Sequence, residues 1–155
     1  MNCMNGKLLK KKIKMEKKYQ ITCTKEQLSL IARAVEDWSR FLSGQCEMAN
    51  ATSMLENHQD LCDALNKYVE PLVVPELCIK YGRGASYGWN GGGCPNEYQR
   101  KAIAMSYGIY RQILHFFAKQ LPDDHWNVYK SSTLTCPEQG GLIQIKEINE
   151  TTERR

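Results

Sequence analysis

The feature that most constrains this chain is a glycine-rich stretch at residues 81–93, which lies between two segments with helical periodicity. The stretch holds six glycines, three aromatic residues, one arginine and one asparagine. Glycine lets the backbone adopt positive φ angles and lets a ligand approach closely, while aromatic and arginine side chains are common recognition groups. The stretch therefore predicts an irregular loop, and it is where we expect a binding site.

Length and composition predict one soluble globular domain. The chain has 155 residues, of which 42% are hydrophobic and 25% are charged. A chain of this length buries about two thirds of its unfolded surface and needs no metal or disulfide to do so. We expect residues 19–148 to form the domain and the polar residues 149–155 to be a frayed tail.

Positive charge is concentrated in the first 18 residues, which hold seven lysines and one acid, Glu16, and so carry +6. Since the whole chain carries +4, residues 19–155 carry −2, which argues against a nucleic-acid surface spread over the domain. We expect residues 1–18 to be a disordered basic extension. Two alternatives stay open: an arm that binds nucleic acid or anionic lipid, and a true start at Met15, which would remove most of this charge.

The seven cysteines predict reduced thiols rather than a metal site. Their number is odd, and no pair has the C-x-x-C spacing that structural zinc sites often use. Residues 1–18 contain no apolar signal-peptide core, and no run approaches the ~18 apolar residues of a membrane span. The sequence therefore predicts a cytoplasmic protein with no metal, no cofactor and no membrane association.

The clearest helix follows Thr24. Thr24 and Gln27 form a capping-box pattern with Thr24 as the N-cap, and Gly44 is a typical residue just after a helix C-terminus. The apolar residues between them fall on one stripe with helical spacing: Leu28, Ile31, Val35, Trp38 and Leu42.

Two further helices are predicted. One covers about residues 53–68, because Pro71 and Pro75 should prevent its continuation. The other starts with Pro95 as its first residue and runs to about Gln120. Helical spacing predicts its inward face: Ala102, Met105, Ile109, Ile113, Phe116 and Phe117.

Two short segments alternate apolar and polar residues as a half-buried strand does, at 19–23 and 142–148. Because a lone strand has no partners for its backbone groups, we expect these two to pair. Residues 126–129 are a further short strand candidate. The predicted fold class is therefore α+β: mainly α, about three helices, with a small antiparallel sheet pairing the N- and C-terminal strands.

Known phosphate-binding motifs do not fit the loop. The G-x-G-x-x-G pattern needs a glycine where this chain has Tyr87, and no Gly-Lys-Ser/Thr of a Walker A motif occurs. Residues 91–95 instead lead into the N-terminus of the third helix, where free N–H groups and the helix dipole favour an anion. The alternative is an ordinary flexible connection between helices.

The recognition surface is expected to comprise five residues: Arg83, Tyr87, Trp89, Asn90 and Arg100. The aromatic rings would stack on a ligand or fill a partner's pocket, and the arginines would face negative charge. On the third helix, Tyr107, Tyr110 and Arg111 share a face, and they would join this site only if the loop folds over them.

Nucleophilic catalysis is the remaining chemical alternative. A Cys94 nucleophile would need a histidine as base and a third group to orient that histidine. The chain has three histidines, His58, His115 and His125, and sequence alone does not place any of them beside Cys94.

The order of several segments resembles that of a known family. The blocks are Glu26-Gln27-Leu28, Ile31-Ala32-x-Ala34, Ser39-Arg40-Phe41-Leu42-Ser43-Gly44-Gln45, Ala85-Ser86-Tyr87-Gly88 and Ala104-Met105-Ser106-Tyr107-Gly108-Ile109-Tyr110-Arg111-Gln112-Ile113-Leu114-His115. Over about residues 19–148 the chain resembles small uncharacterised proteins encoded by bacteriophages and prophages, including those of gut bacteria. It departs from them by a longer glycine and aromatic insertion after Tyr87. No family activity or catalytic residue can be carried over, so the resemblance implies a phage or mobile-element accessory protein in the bacterial cytoplasm.

These observations favour a non-catalytic protein that binds a host protein or a small anionic ligand, such as a nucleotide signal, in a counter-defence role. The second hypothesis is a nucleic-acid-associated regulator that uses the basic arm. The third is a small enzyme with Cys94 as nucleophile. A homo-oligomer is compatible with all three.

Overall fold

The computed structural model describes residues 17–148, and its regular structure there is helical. The α-helices are α1 (Lys25–Ser43), α2 (Ala49–Thr52), α3 (His58–Ala64), α4 (Glu70–Val73), α5 (Pro75–Tyr81) and α6 (Glu97–Ala118). A π-helical turn, Leu65–Val69, joins α3 to α4, and two 3₁₀ turns follow α6 at Val128–Lys130 and Pro137–Gln139. The predicted tail 149–155 and most of the predicted basic extension, residues 1–16, lie outside the described residues.

Helix α1 begins and ends as its sequence predicts. The Thr24 hydroxyl accepts a hydrogen bond from the Gln27 backbone N–H at 3.2 Å, and the Gln27 side chain accepts one from the Thr24 N–H at 2.8 Å. The chain leaves the helix at Gly44, where φ is 108°. Both signals are local, which is why the sequence alone locates these two ends.

The two long helices, α1 and α6, pack against each other in antiparallel directions. The Ser39 hydroxyl donates to the Ile103 carbonyl at 3.3 Å. Nearer the start of α6, the Gln99 side-chain amide donates to the carbonyls of Leu42 at 2.8 Å and Val73 at 3.2 Å. One side chain therefore ties the C-terminal ends of α1 and α4 to the first turns of α6.

The middle of the chain differs from the single helix predicted at 53–68. Helix α3 starts at His58, and the helical path continues through the π turn into α4, which contains Pro71. The Glu70 N–H donates to the Leu65 carbonyl, five residues back. A proline near a helix start removes no bond that the helix needs, so the prediction that Pro71 ends the helix is wrong.

No strand occurs among residues 17–148, so the predicted sheet and the α+β class are wrong. Tyr19 and Ile21 are 86% and 81% exposed, and residues 142–148 lack regular structure. The third candidate is also not a strand, because Val128–Lys130 forms a 3₁₀ turn capped by the Asn127 side chain. Alternation over so few residues is a weak signal, and here the helices form the core without these segments.

The predicted start and inward face of α6 also need correction. Asn96 is the N-cap, its side chain accepting from the Gln99 N–H at 3.1 Å, so Pro95 precedes the helix rather than opening it. Met105, predicted to point inward, is 48% exposed, whereas Ile103 and Ala104 are buried; Ile113 is buried as predicted. The cause is a second contact, because α6 also packs its buried Gly108 against the C-terminal 3₁₀ turn.

The hydrophobic core joins the helices to the glycine-rich loop. Its buried cluster contains Val74 from between α4 and α5, Ile103 from α6, and Tyr87 and Cys94 from the loop. The loop therefore packs on the helices instead of running free between them. None of the helices within the described residues is long and apolar enough to cross a membrane.

Gly44→Ala should destabilise the protein more than Gly93→Ala does, although both glycines have positive φ. A Cβ at Gly44 would lie 2.9 Å from the Ala85 carbonyl oxygen, whereas one at Gly93 (φ 84°) would meet nothing within 4 Å. Both changes place alanine at positive φ, which costs about 1–2 kcal/mol. We expect Gly44→Ala to lower the free energy of unfolding by about 3 kcal/mol, counting the added clash, and Gly93→Ala by about 1 kcal/mol, measured in urea. Equal losses would contradict the close approach.

Candidate functional site

The loop is fixed to the end of α1 by two contacts. The Tyr87 N–H donates to the Ser43 carbonyl at 2.8 Å, and the Ala85 carbonyl oxygen lies 2.9 Å from the position that a Cβ on Gly44 would occupy. Residues after Tyr87 then cross toward α6. There Gly91 approaches Arg100 so closely that an added Cβ would lie 2.8 Å from the Arg100 Cα.

This path closes a small cleft between α1, the loop and α6, which we call the aromatic cleft. Its volume is about 140 Å³. It is lined by Ser39, Arg40 and Ser43 of α1, Gln45, Tyr87 and Trp89 of the following segments, and Ile103, Tyr107 and Tyr110 of α6.

The aromatic rings of the cleft are arranged as a connected series. The Trp89 and Tyr107 ring centroids lie 5.1 Å apart with the rings tilted by 40°. Tyr107 in turn meets Tyr110 edge to face at 5.4 Å. Rings at these distances and angles attract one another beyond simple area burial. The loop does fold over this face of α6, which is the condition on which the sequence analysis adds Tyr107, Tyr110 and Arg111 to the site. Tyr107 and Tyr110 line the cleft, whereas Arg111 does not and lies over the Tyr129 ring.

The charged member of the cleft is already paired. The Arg40 guanidinium lies 2.9 Å from a carboxylate oxygen of Glu36, and it donates to the Gln45 side-chain oxygen at 2.8 Å. An anion entering the cleft would therefore meet an arginine whose charge is largely balanced. A neutral group that accepts a hydrogen bond from Arg40 is better matched.

The hydroxyl groups of two tyrosines in the cleft stay protonated to a higher pH than a free tyrosine side chain does. Burial raises the pKa of Tyr110 to about 12, with the Arg40 charge opposing this shift and Glu36 adding to it. Burial likewise raises the pKa of Tyr87 to about 12, and the neighbouring Cys94 and Glu76 add to it. The Tyr87 hydroxyl donates to a Glu76 carboxylate oxygen at 3.3 Å. Both hydroxyls are hydrogen-bond donors at neutral pH.

The structure separates the five residues predicted to form one surface. Tyr87 and Trp89 line the aromatic cleft, whereas Arg83 lines a second cavity at the other side of Gly44. Asn90 and Arg100 hold the loop in shape: the Asn90 side chain accepts from the Gly92 N–H at 2.9 Å, and Arg100 donates to the Cys94 carbonyl at 3.2 Å. The cleft therefore contains the predicted aromatic pair, and its other residues come from α1, from α6 and from Gln45, which follows α1.

Residues of the cleft that sequence reasoning missed lie on α1. Ser39 and Ser43 are buried, and they are spaced one helical turn apart. Small polar residues at that spacing on a covered helix face are a weak signal for a close helix contact. Gln45 has no such signal, because its position depends on where the loop crosses α1.

The residues that a Cys94 nucleophile would require do not meet. Cys94 is 2% exposed, and its thiol donates to the Asn96 carbonyl at 3.5 Å. The recorded side-chain contacts of histidines within residues 17–148 join His58 to Cys62 and His115 to the Tyr129 carbonyl. Over the same residues, no group of three or more His, Cys, Asp or Glu could hold a metal ion.

Comparison with known proteins adds no family or relative: no protein-family model, curated protein or solved structure matches this chain. The resemblance to phage proteins therefore remains a prediction from the sequence blocks.

Tyr110→Phe should flatten the loss of stability at high pH. The folded protein holds the Tyr110 proton up to about pH 12, whereas an unfolded tyrosine loses it near about pH 10. Stability present below about pH 10 is therefore lost as the pH rises toward 12, by roughly 2–3 kcal/mol for one such group. Urea unfolding at pH 9 and pH 11.5 measures this difference. The control is Tyr98→Phe, since Tyr98 is 88% exposed; identical pH dependence in the two variants would contradict the assignment.

Proposed function

We propose that this protein is a non-catalytic binding protein whose aromatic cleft takes up one flat side chain of a host protein. The observation that carries the proposal is the Trp89–Tyr107 pair, 5.1 Å between centroids, in the wall of a cleft that also contains Tyr110 and Arg40. Clefts with aromatic and arginine walls are typical of the energetically dominant positions in protein interfaces.

Size favours a single side chain over a nucleotide. The cleft holds about 140 Å³, whereas pockets for whole small-molecule ligands span about 300–1,000 Å³. A cavity of about 150 Å³ accommodates one benzene ring. An aromatic side chain of a partner fits this volume, with edge-to-face contacts to Tyr107 and Tyr110.

Polarity supports the same choice. Ser39, Ser43 and Gln45 stand beside the rings, so a side chain that carries a polar atom as well as a ring finds hydrogen-bonding groups there. A tyrosine or tryptophan of the partner has this combination. An anionic ligand is less suited, because Glu36 already balances the Arg40 charge.

The context of the proposal is a phage or mobile-element accessory protein acting in the bacterial cytoplasm, and it rests on the resemblance of the sequence blocks. The alternative of a nucleic-acid regulator depends on the basic extension, of which Lys17 and Lys18 are the residues within the described range. It stays a prediction from charge.

Trp89→Ala should abolish partner binding and leave the fold intact. Loss of an anchoring aromatic costs binding about 2 kcal/mol or more, and Trp89 is half-buried and outside the buried core cluster. Tagged wild-type and variant proteins would be purified from bacteria, and the co-purified protein would be quantified by mass spectrometry. The melting temperature of each variant would be recorded in parallel.

The matched control is Trp126→Ala, because Trp126 is 84% exposed and lies outside the cleft. We expect it to retain the partner that Trp89→Ala loses. Nuclear magnetic resonance titration with p-cresol, an analogue of the tyrosine side chain, tests the cleft without a partner and should shift the Tyr107 and Tyr110 signals. Partner retention by Trp89→Ala, or a fall in its melting temperature of about 10 °C or more, equivalent to several kcal/mol, would refute the proposal.

A further inference from the structure

A second cavity lies on the other side of the α1 C-terminus, and no part of the proposed function uses it. Its volume is about 300 Å³, which reaches the lower end of the range for small-molecule sites, roughly 300–1,000 Å³. Its charged residues are Glu47, Glu70 and Arg83. We call it the Glu70 cavity.

Glu70 is the unusual residue here, because it is little exposed and one oxygen of its carboxylate accepts no hydrogen bond within residues 17–148. The residue is 2% exposed. Its Oε1 atom accepts from the Gly84 N–H at 2.6 Å and from the Cys78 thiol at 3.6 Å. Within residues 17–148, Oε2 accepts no hydrogen bond and neither recorded ion pair includes Glu70. Among the described residues, the buried side-chain atom that lacks a hydrogen-bond partner is Arg111 Nε, so Glu70 Oε2 keeps some accessible surface in the cavity that Glu70 lines. A free carboxylate oxygen on a residue this little exposed favours a positive group beside it.

The other charges of the cavity indicate what kind of cation fits. Glu47 is half-buried, and its Oε1 accepts from the Asn66 side-chain amide at 3.3 Å, which adds negative charge beside Glu70. Arg83, in contrast, is exposed and lines the same cavity. A simple cation would be attracted by the two carboxylates and repelled by Arg83. A ligand that carries both charges satisfies both ends.

We propose that the Glu70 cavity binds a small zwitterionic amino-carboxylate, an amino acid or a molecule of similar size. The ammonium group lies against Glu70 Oε2 and Glu47, and the carboxylate lies toward Arg83. Ammonium groups donate up to three hydrogen bonds and arginine pairs with carboxylates through two parallel ones. The site is separate from the aromatic cleft, although Gln45 lines both.

Calorimetric titration of the wild-type protein with matched probes tests the two charges separately. Glycine, β-alanine and 4-aminobutyrate vary the distance between ammonium and carboxylate. Propylamine and butyrate are the analogues of 4-aminobutyrate that lack the carboxylate and the amine respectively. We expect at least one zwitterion to bind, and to bind at least about tenfold more tightly than either single-charge analogue, since a hydrogen bond to a charged group contributes about one tenfold step or more.

Two variants locate the binding in this cavity. Glu70→Gln keeps an oxygen for the Gly84 N–H but removes the charge, so the bound zwitterion should lose at least about tenfold in affinity. Arg83→Gln should remove the preference for the zwitterion over propylamine. Because Arg83 is exposed, this variant tests the proposal even if Glu70→Gln does not fold. Arg33→Gln, at another exposed arginine, should bind the zwitterion like wild type.

Several results would overturn the inference. They are absence of saturable binding for every zwitterion, equal affinity for propylamine and the zwitterion in wild type, and unchanged zwitterion binding in Arg83→Gln. Binding of Mg²⁺ or Ca²⁺ that is lost in Glu70→Gln, without zwitterion binding, would instead assign the cavity to an inorganic cation. Glu70 and Arg83 do not line the aromatic cleft, so failure of this test leaves the aromatic cleft proposal standing.

Discussion

The end of α1 at Gly44 is the constraint on which both cavities depend. With φ at 108° and no side chain, Gly44 turns the chain out of the helix and lets the Ala85 carbonyl and Val74 come within contact distance. The loop then hydrogen-bonds to the Ser43 carbonyl through Tyr87. The aromatic cleft opens on the Ser43 side of this junction and the Glu70 cavity on the Gly44 side. A residue with a Cβ here would separate the loop from α1, and both cavities would lose a wall.

Polar side chains help to join the short segments of the chain to the two long helices, α1 and α6. Buried Asp37 accepts from the N–H groups of Asn50 and Ala51 and so caps the short helix α2. Gln139 accepts from the Cys136 N–H and packs its amide against Gly108. These groups satisfy backbone donors at the starts of short helical segments. A buried polar group needs a specific hydrogen-bond partner, so these contacts favour one arrangement of the segments over others.

How well the sequence predicts the structure depends on how far apart along the chain the interacting residues lie. Thr24, Gln27 and Gly44 are read correctly because their bonds reach only a few residues along the chain. The burial of α6 is predicted correctly at Ile113 but wrongly at Met105. Gly108 faces Gln139, a partner 31 residues later that no periodicity reveals. The strand predictions are wrong for a related reason. Alternation of apolar and polar residues is typical of a strand, but it does not show that a second strand is there to pair with. In the site, the loop aromatics are predictable from composition, whereas Glu70 becomes a candidate only once the fold buries it.

The loop has two halves that differ in how they meet the helices, and this difference bears on binding. From Tyr87 to Cys94 the backbone is anchored at three points: Gly91 lies against Arg100, and both ends of this half belong to the buried core, although Gly93 has open space beside it. Its rings are therefore held before a partner arrives, which reduces the entropy lost on binding. Around Arg83 the flanking glycines have open space beside them, although the Gly84 N–H is held by Glu70. An arginine in that setting can adjust to ligands of different length but loses more freedom when it binds. The aromatic cleft should thus discriminate by fit, and the Glu70 cavity by charge.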